Sequence, residues 1–172
     1  MTNYARPAQD EYAPFYAGYV ADVPEGDVLT LFQLQTDDML TLLRPLPAAR
    51  WRHRYAPEKW SVGEVLGHIC DAERILSYRA LRFARGDATE LAGFDENIYV
   101  PPARFDDRAP ASLLTDYVAV REATISLFRG LPPGSGVRRG VANGSEVSVR
   151  ALLHILTGHE RHHMRVLQER YL

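Results

Sequence analysis

Two histidines four residues apart, His159 and His163, stand in the stretch Gly158-His159-Glu160-Arg161-His162-His163-Met164-Arg165-Val166-Leu167. On an α-helix that spacing puts both imidazoles on one face, about one turn apart. Two neutral imidazoles so placed are half of a metal site. His154 shares the helical segment but lies roughly 140° around it from His159, at about 100° per residue, so it is a poor partner. His162, about 60° to the other side, reads as a neighbour. A further ligand has to come from elsewhere, and the candidate is His68, at the edge of an apolar stripe on another predicted helix. Three imidazoles from two helices would leave a position open for water or substrate. An ion held that way lowers the pKa of water or a thiol and acts as a Lewis acid. Asp71 and Glu160 are candidates for the carboxylate that accepts a ligand's second ring N–H. The bland alternative makes His159 and His163 surface or capped residues and His68 a hydrogen-bonded core residue. Glu160 also takes the second place of a His-Glu-x-x-His pattern, which keeps a zinc peptidase in view.

The elements that must carry these residues are legible as helices. Asp27 reads as an N-cap, and Leu31, Leu34, Gln35, Asp38, Met39, Leu42 and Leu43 give an amphipathic pattern that ends at Arg44-Pro45. Ser61 and Glu64 fit a capping box, with Trp60 and Val65 as a hydrophobic staple. The stripe that follows runs through Val62, Val65, Leu66, Ile69, Ala72, Leu76 and Phe83 to Gly86, a fitting C′ residue. A third helix is predicted over 111–130. Asn143-Gly144, between Val141 and Val147, predicts a type I′ hairpin with short strands. Ser148 then caps a last helix that carries His159 and His163.

Residues 1–26, with their scattered prolines and aromatics, predict an extended arm that packs on the domain, with room for one short helical turn. Residues 87–110 predict a long crossover that covers something. Together these features predict one all-α domain over 1–172, a four-helix bundle of up-down-down-up direction with one long crossover connection and a short β-hairpin before the last helix.

Composition narrows the function classes. A net charge of −2 argues against nucleic acid as a main partner. The single cysteine, Cys70, excludes an intrachain disulfide and a cysteine-rich zinc framework. There is no apolar run long enough to span a membrane and no basic-then-apolar start, so the expectation is a cytoplasmic protein with a small-molecule partner.

Three separated stretches also resemble one family. Lys59 to Arg74 reads KWSVGEVLGHICDAER, residues 93–107 read GFDENIYVPPARFDD, and residues 143–168 read NGSEVSVRALLHILTGHERHHMRVLQ. Together, in that order, they resemble the DinB-like superfamily of small four-helix metalloproteins, over about Asp27 to Tyr171. The resemblance implies a divalent ion, nickel or zinc, on one histidine of the second helix and a His-x-x-x-His pair of the last. By position these are His68, His159 and His163. It implies a homodimer, and for some members thiol transfer or isomerisation with bacillithiol or mycothiol. The function expected is therefore metal-dependent hydrolysis or S-transfer, with a non-catalytic metal-binding or stress-response module as the alternative.

The remaining chemistry-bearing residues have simpler readings. Cys70, about 200° from His68 on the helix, reads as a buried thiol. Arg74, Arg79, Arg82 and Arg85 could form an anion-binding patch for an acidic substrate, but a solvated face paired with acids is the simpler account. Asp95, Glu96 and Tyr99 could cover the metal from the crossover, or Tyr99 and Phe94 could merely anchor it. His53 and His154 read as structural or exposed, and Trp51 and Trp60 as packing residues.

Overall fold

The computed structural model describes residues 4–172. Its helices are α1 (Ala17–Asp22), α2 (Val28–Leu43), α3 (Ala48–Trp51), α4 (Val62–Ala84), α5 (Glu96–Ala103), α6 (Pro110–Arg129) and α7 (Val149–Arg170), with strands β1 (Arg139–Ala142) and β2 (Ser145–Ser148) before the last. The caps form as predicted. The Asp27 carboxylate accepts the Leu29 N–H at 3.1 Å, and Ser148 Oγ accepts the Ala151 N–H at 3.0 Å. At the start of α4 the box is reciprocal: Ser61 Oγ accepts from the Glu64 N–H at 3.0 Å, and Glu64 accepts from the Ser61 N–H at 2.8 Å. Gly86, at φ +79°, ends α4 with its N–H on the Phe83 carbonyl and the Asp87 N–H on the Arg82 carbonyl. That pair of bonds satisfies two otherwise orphaned carbonyls.

The long helices α2, α4, α6 and α7 form the bundle, each of α4 and α2 lying between α6 and α7. Their directions follow from which residues meet. Gly63 approaches Leu113 and Glu73 meets Arg121, so α4 and α6 run parallel. Trp60 meets Tyr171 and His68 meets His159, so α7 runs antiparallel to α4. Gln33 meets Arg129 while Thr36 meets Arg121, so α2 opposes α6. The order is up-down-down-up. Two consecutive parallel helices are what require the crossover over 85–109.

The core divides into two apolar clusters. One gathers Phe32, Leu76, Phe83, Phe128, Leu152 and Leu156, among others; the other gathers Met39, Leu43, Leu66, Ile69, Leu113 and Leu167, among others. Between them each bundle helix contributes a polar residue at the same level: Gln35, Glu73, Arg121 and Glu160, all buried. Arg121 Nη2 pairs with Glu73 at 3.0 Å and with Glu160 at 2.8 Å. Glu160 also accepts from the Tyr117 hydroxyl at 2.5 Å and the Gln35 amide at 2.6 Å. A charge this deep is tolerable only when its partners are all supplied, as they are here.

The hairpin matches its prediction, with Asn143 and Gly144 both at positive φ (53° and 69°) and Val141 opposite Glu146. Three expectations are corrected. The buried face of α2 is Phe32, Gln35, Met39 and Leu43, with Phe32 under the Arg121 guanidinium, while Leu34 is exposed. The N-terminal arm is not extended: it makes 3-10 turns over Gln9–Glu11 and Pro14–Tyr16 and then α1, which docks along α7. Residues 1–3 of the expected arm lie outside the described residues. The crossover is not a plain loop either, since it contains α5 and a 3-10 turn over Phe105–Asp107 and bridges to the hairpin through Leu91 and Ala142. No helix among the described residues is long and apolar enough to cross a membrane.

Candidate metal centre

His68 lies in the second turn of α4, and the antiparallel α7 brings His159 and His163 to it. His159 Nε2 is 3.0 Å from His68 Nε2 and 3.1 Å from His163 Nε2. One ring nitrogen from each of the three lies within 4.8 Å of the others, and among the described residues no cysteine or carboxylate joins the group. The fold thus brings His68, His159 and His163 together at one place.

Burial sets the protonation of all three. It pushes His68 down to about 4. It pushes His159 to about 3, with the nearby His68 and His162 rings adding to the effect. His163 is driven well below its usual range, again by burial first and then by His159 and His68. All three are neutral at physiological pH, the form in which imidazole ligates.

The donor set fits a divalent ion. A neutral imidazole Nε2 carries one N–H or one lone pair, so His159 Nε2 cannot serve both close neighbours well by hydrogen bonding. Imidazoles sharing one ion at ~2.0–2.1 Å place their nitrogens roughly 3.3 Å apart, close to the spacing seen here.

The three rings form the inner wall of a cavity of about 460 Å³. Trp60 leans on His68, with ring centroids 4.8 Å apart. Tyr19, from α1, stands edge-on to His159 at 5.5 Å and to His162 at 5.7 Å. Phe15 and Tyr16 from the arm, Phe94 and Glu96 from the crossover and Asn143 from the hairpin complete much of the lining. The aromatic arm residues and Trp60 were not expected at the site. Tyr12, Phe15, Tyr16 and Tyr19 do share one helical face by spacing, and that was the available signal.

The arm reaches the site because Gly158 has no side chain. A Cβ there would lie 1.9 Å from the Tyr19 carbonyl oxygen. Gly158→Ala is therefore expected to lever α1 away from α7 and destabilise the protein by about 1–3 kcal/mol in urea unfolding, as overpacking does. Unchanged stability would show that α1 does not depend on this contact.

Several expectations at the site are corrected. Glu160 turns into the polar layer of the core and away from the imidazoles, because one position along α7 rotates it about 100° from His159. It cannot serve as a peptidase base at this centre. Asp71 pairs with Arg74 at 3.6 Å, and no hydrogen bond joins it to His68. Asp95 caps α5 through the Asn97 N–H, and Tyr99 packs on Phe94, so of the three crossover residues only Glu96 reaches the cavity. Other readings stand as expected. Cys70 is buried, and burial raises its thiol far above the ordinary range. His154 is buried with Nδ1 3.0 Å from the Arg150 carbonyl. Of the four arginines read as a solvated face paired with acids, Arg74 pairs with Asp116 and Arg82 with Asp87, but Arg79 is buried and pairs with no acid among the described residues.

An up-down-down-up bundle with three inward histidines on its second and last long helices defines the class of protein. The DinB superfamily profile matches residues 31–167, and the chain belongs to the DinB superfamily. Among solved structures it is similar in fold to YfiT from Bacillus subtilis, described as a probable metal-dependent hydrolase with an unusual four-helix bundle topology. The TM-score is 0.74 at 14% identity, covering 86% of this chain and 90% of that one. No curated protein matches.

Proposed function

We propose that this protein is a metal-dependent enzyme whose His68, His159 and His163 hold one divalent ion, nickel or zinc, facing the cavity. The observation that carries the reading is a group of three neutral imidazoles, with no further protein donor among the described residues, on the wall of a pocket large enough for a small molecule. An ion kept only for structure calls for a closed set of protein ligands, and this one has three. When bound, such an ion supplies Lewis acidity and favours the ionised form of a water or thiol, which suits hydrolysis or S-transfer with a low-molecular-weight thiol.

The chain's own residues do the rest. Burial keeps the three rings deprotonated, Trp60 and Tyr19 hold His68 and His159 in place, and the aromatic walls limit water around the reacting group.

The direct test is metal analysis of untagged protein against His159→Ala. Wild type is expected to carry close to one equivalent of divalent metal, and the variant little. Equal content in both would overturn the assignment. Activity screening of the metal-loaded protein with bacillithiol and mycothiol, against panels of electrophiles and esters, then separates S-transfer from hydrolysis, with His163→Ala as the control.

A further inference from the structure

Among the described residues two arginines are buried, Arg121 and Arg79, at 1% and 4% exposure. Arg121 sits between two carboxylates. Arg79 has no carboxylate within ion-pair distance among the described residues, although it lies in a row where Arg74 and Arg82 are both paired. Its Nη2 donates to the Ala92 carbonyl at 2.8 Å, the Phe94 ring lies 5.8 Å from its Cζ, and the Tyr16 hydroxyl lies beside it. A guanidinium has five N–H donors in a planar fork, so these neighbours leave most of its capacity unused. Burying such a cation without a counter-charge is unfavourable, and burial does lower the Arg79 pKa.

Arg79 also lines the cavity that holds the three histidines. It follows His68 on α4 by eleven residues, about three turns, which returns it to the same face roughly 16 Å along the axis. Side chains on a helix lean toward its N-terminus, so the Arg79 head is carried back toward the histidines. The cavity thus has a nitrogen-donor cluster at one place and an uncompensated cationic fork at another.

We propose that Arg79 is the anion-recognition residue of this cavity: the substrate carries a carboxylate or phosphate that the guanidinium binds, at a distance from the group that reacts at the histidines. This rests on the metal-site reading above and adds a substrate class to it, an elongated small molecule with one anionic end. The fork geometry favours an oxyanion that can accept two parallel N–H bonds. Arg79 is a binding residue in this scheme and takes no part in the chemistry.

The test uses octanoate, octyl phosphate and octanol as probes, titrated by calorimetry into cobalt-loaded protein while the cobalt spectrum is recorded. Octanoate or octyl phosphate should bind about tenfold to a hundredfold more tightly than octanol, as a charge-assisted hydrogen bond provides. Whichever of the two anions is preferred identifies the oxyanion. The preference should fall to near one in Arg79→Met and be partly retained in Arg79→Lys, which keeps the charge without the fork. The cobalt spectrum should not change with the anion.

Equal binding of all three probes by wild type would overturn the proposal. So would a preference that survives in Arg79→Met, or a spectrum that shows the anion on the metal. A role for Arg79 in merely holding the cavity wall would weaken all three probes alike and leave their ratio unchanged. If Arg79→Met does not fold, the Arg79→Lys ratio and the wild-type ratio decide. The metal reading fails on a different signal, a cobalt spectrum unaltered by His159→Ala, so the two ideas can be told apart.

Discussion

Replacing Arg121 with leucine is expected to destabilise the protein by about 3–5 kcal/mol, the usual cost of stranding buried charge. Among the described residues Arg121 is the only cation facing Glu73 and Glu160 in the polar layer, and it also donates to the Phe32 carbonyl at 2.9 Å and lies over the Phe32 ring at 3.7 Å. Removing it leaves two carboxylates with no counter-charge between two apolar clusters. For a chain of this size each kcal/mol shifts the melting temperature by roughly 2–4 °C, so the midpoint should fall on the order of 10 °C. Adding Glu73→Gln to Arg121→Leu should recover part of the loss, since one stranded charge is then neutral. A melting temperature unchanged in Arg121→Leu would mean that the layer contributes nothing to stability. The layer also explains why Glu160 is unavailable to the three histidines: its acceptor positions are already committed to Tyr117, Gln35 and Arg121.

Acid should unfold the metal-free protein in a window set by the histidines. In the unfolded chain His68 titrates near 6.5, and in the fold at about 4; His159 titrates in the fold at about 3. Between those limits the unfolded state binds more protons than the folded one, so stability rises with pH. The contribution is therefore fully present above about pH 6.5, is lost as pH falls, and levels off once the folded rings are protonated too. A pKa unit corresponds to about 1.4 kcal/mol, so the two rings together account for several kcal/mol.

Urea unfolding at a series of pH values measures this directly. His68→Gln should flatten the curve between about pH 6.5 and pH 4. Glu11 contributes separately: burial opposes its ionisation, but bonds from Arg150 and the Ala8 N–H hold it at about 2, so its share is lost only below about 4.5. Excess zinc should raise the midpoint from neutral pH down to about pH 4 and lose its effect only below that, where the folded rings themselves take up protons. A pH-independent stability across this range would show that the rings are not held neutral by the fold.

How far each feature could be read from the chain followed the range of the forces behind it. Ser61 and Glu64, Asn143 and Gly144, and Gly86 act through bonds to residues within a few positions, so their caps and turns were visible without any tertiary contact. The crossover hid a helix because Pro101 and Pro102 lie inside α5, and a proline disfavours helix in the residue before it. On α2 the pattern of leucines pointed to one side, but the buried face is set by Phe32 against the Arg121 guanidinium, a partner eighty-nine positions away. Trp60 packs against the apolar cluster of Met39, Leu66 and Leu167, as its spacing suggests, yet the same ring is also a wall of the three-histidine cavity. Arg79 looked like one of four similar arginines; only folding paired Arg74 and Arg82 with acids and left Arg79 facing the cavity.

The spacing of His159 and His163 makes them a pair, because helical geometry alone puts residues four apart on one face. By itself the sequence determined the four long helices, the caps of three of them and the hairpin, and it singled out His68 as the candidate third histidine. Only the tertiary structure decided that Glu160 faces the core, that the arm's aromatics line the site, and that one buried arginine stands without a carboxylate among the described residues. Those outcomes depend on which helix faces meet, and that is settled by long-range packing around the polar layer, at Gly158 and along the crossover, where no local pattern in the chain records it.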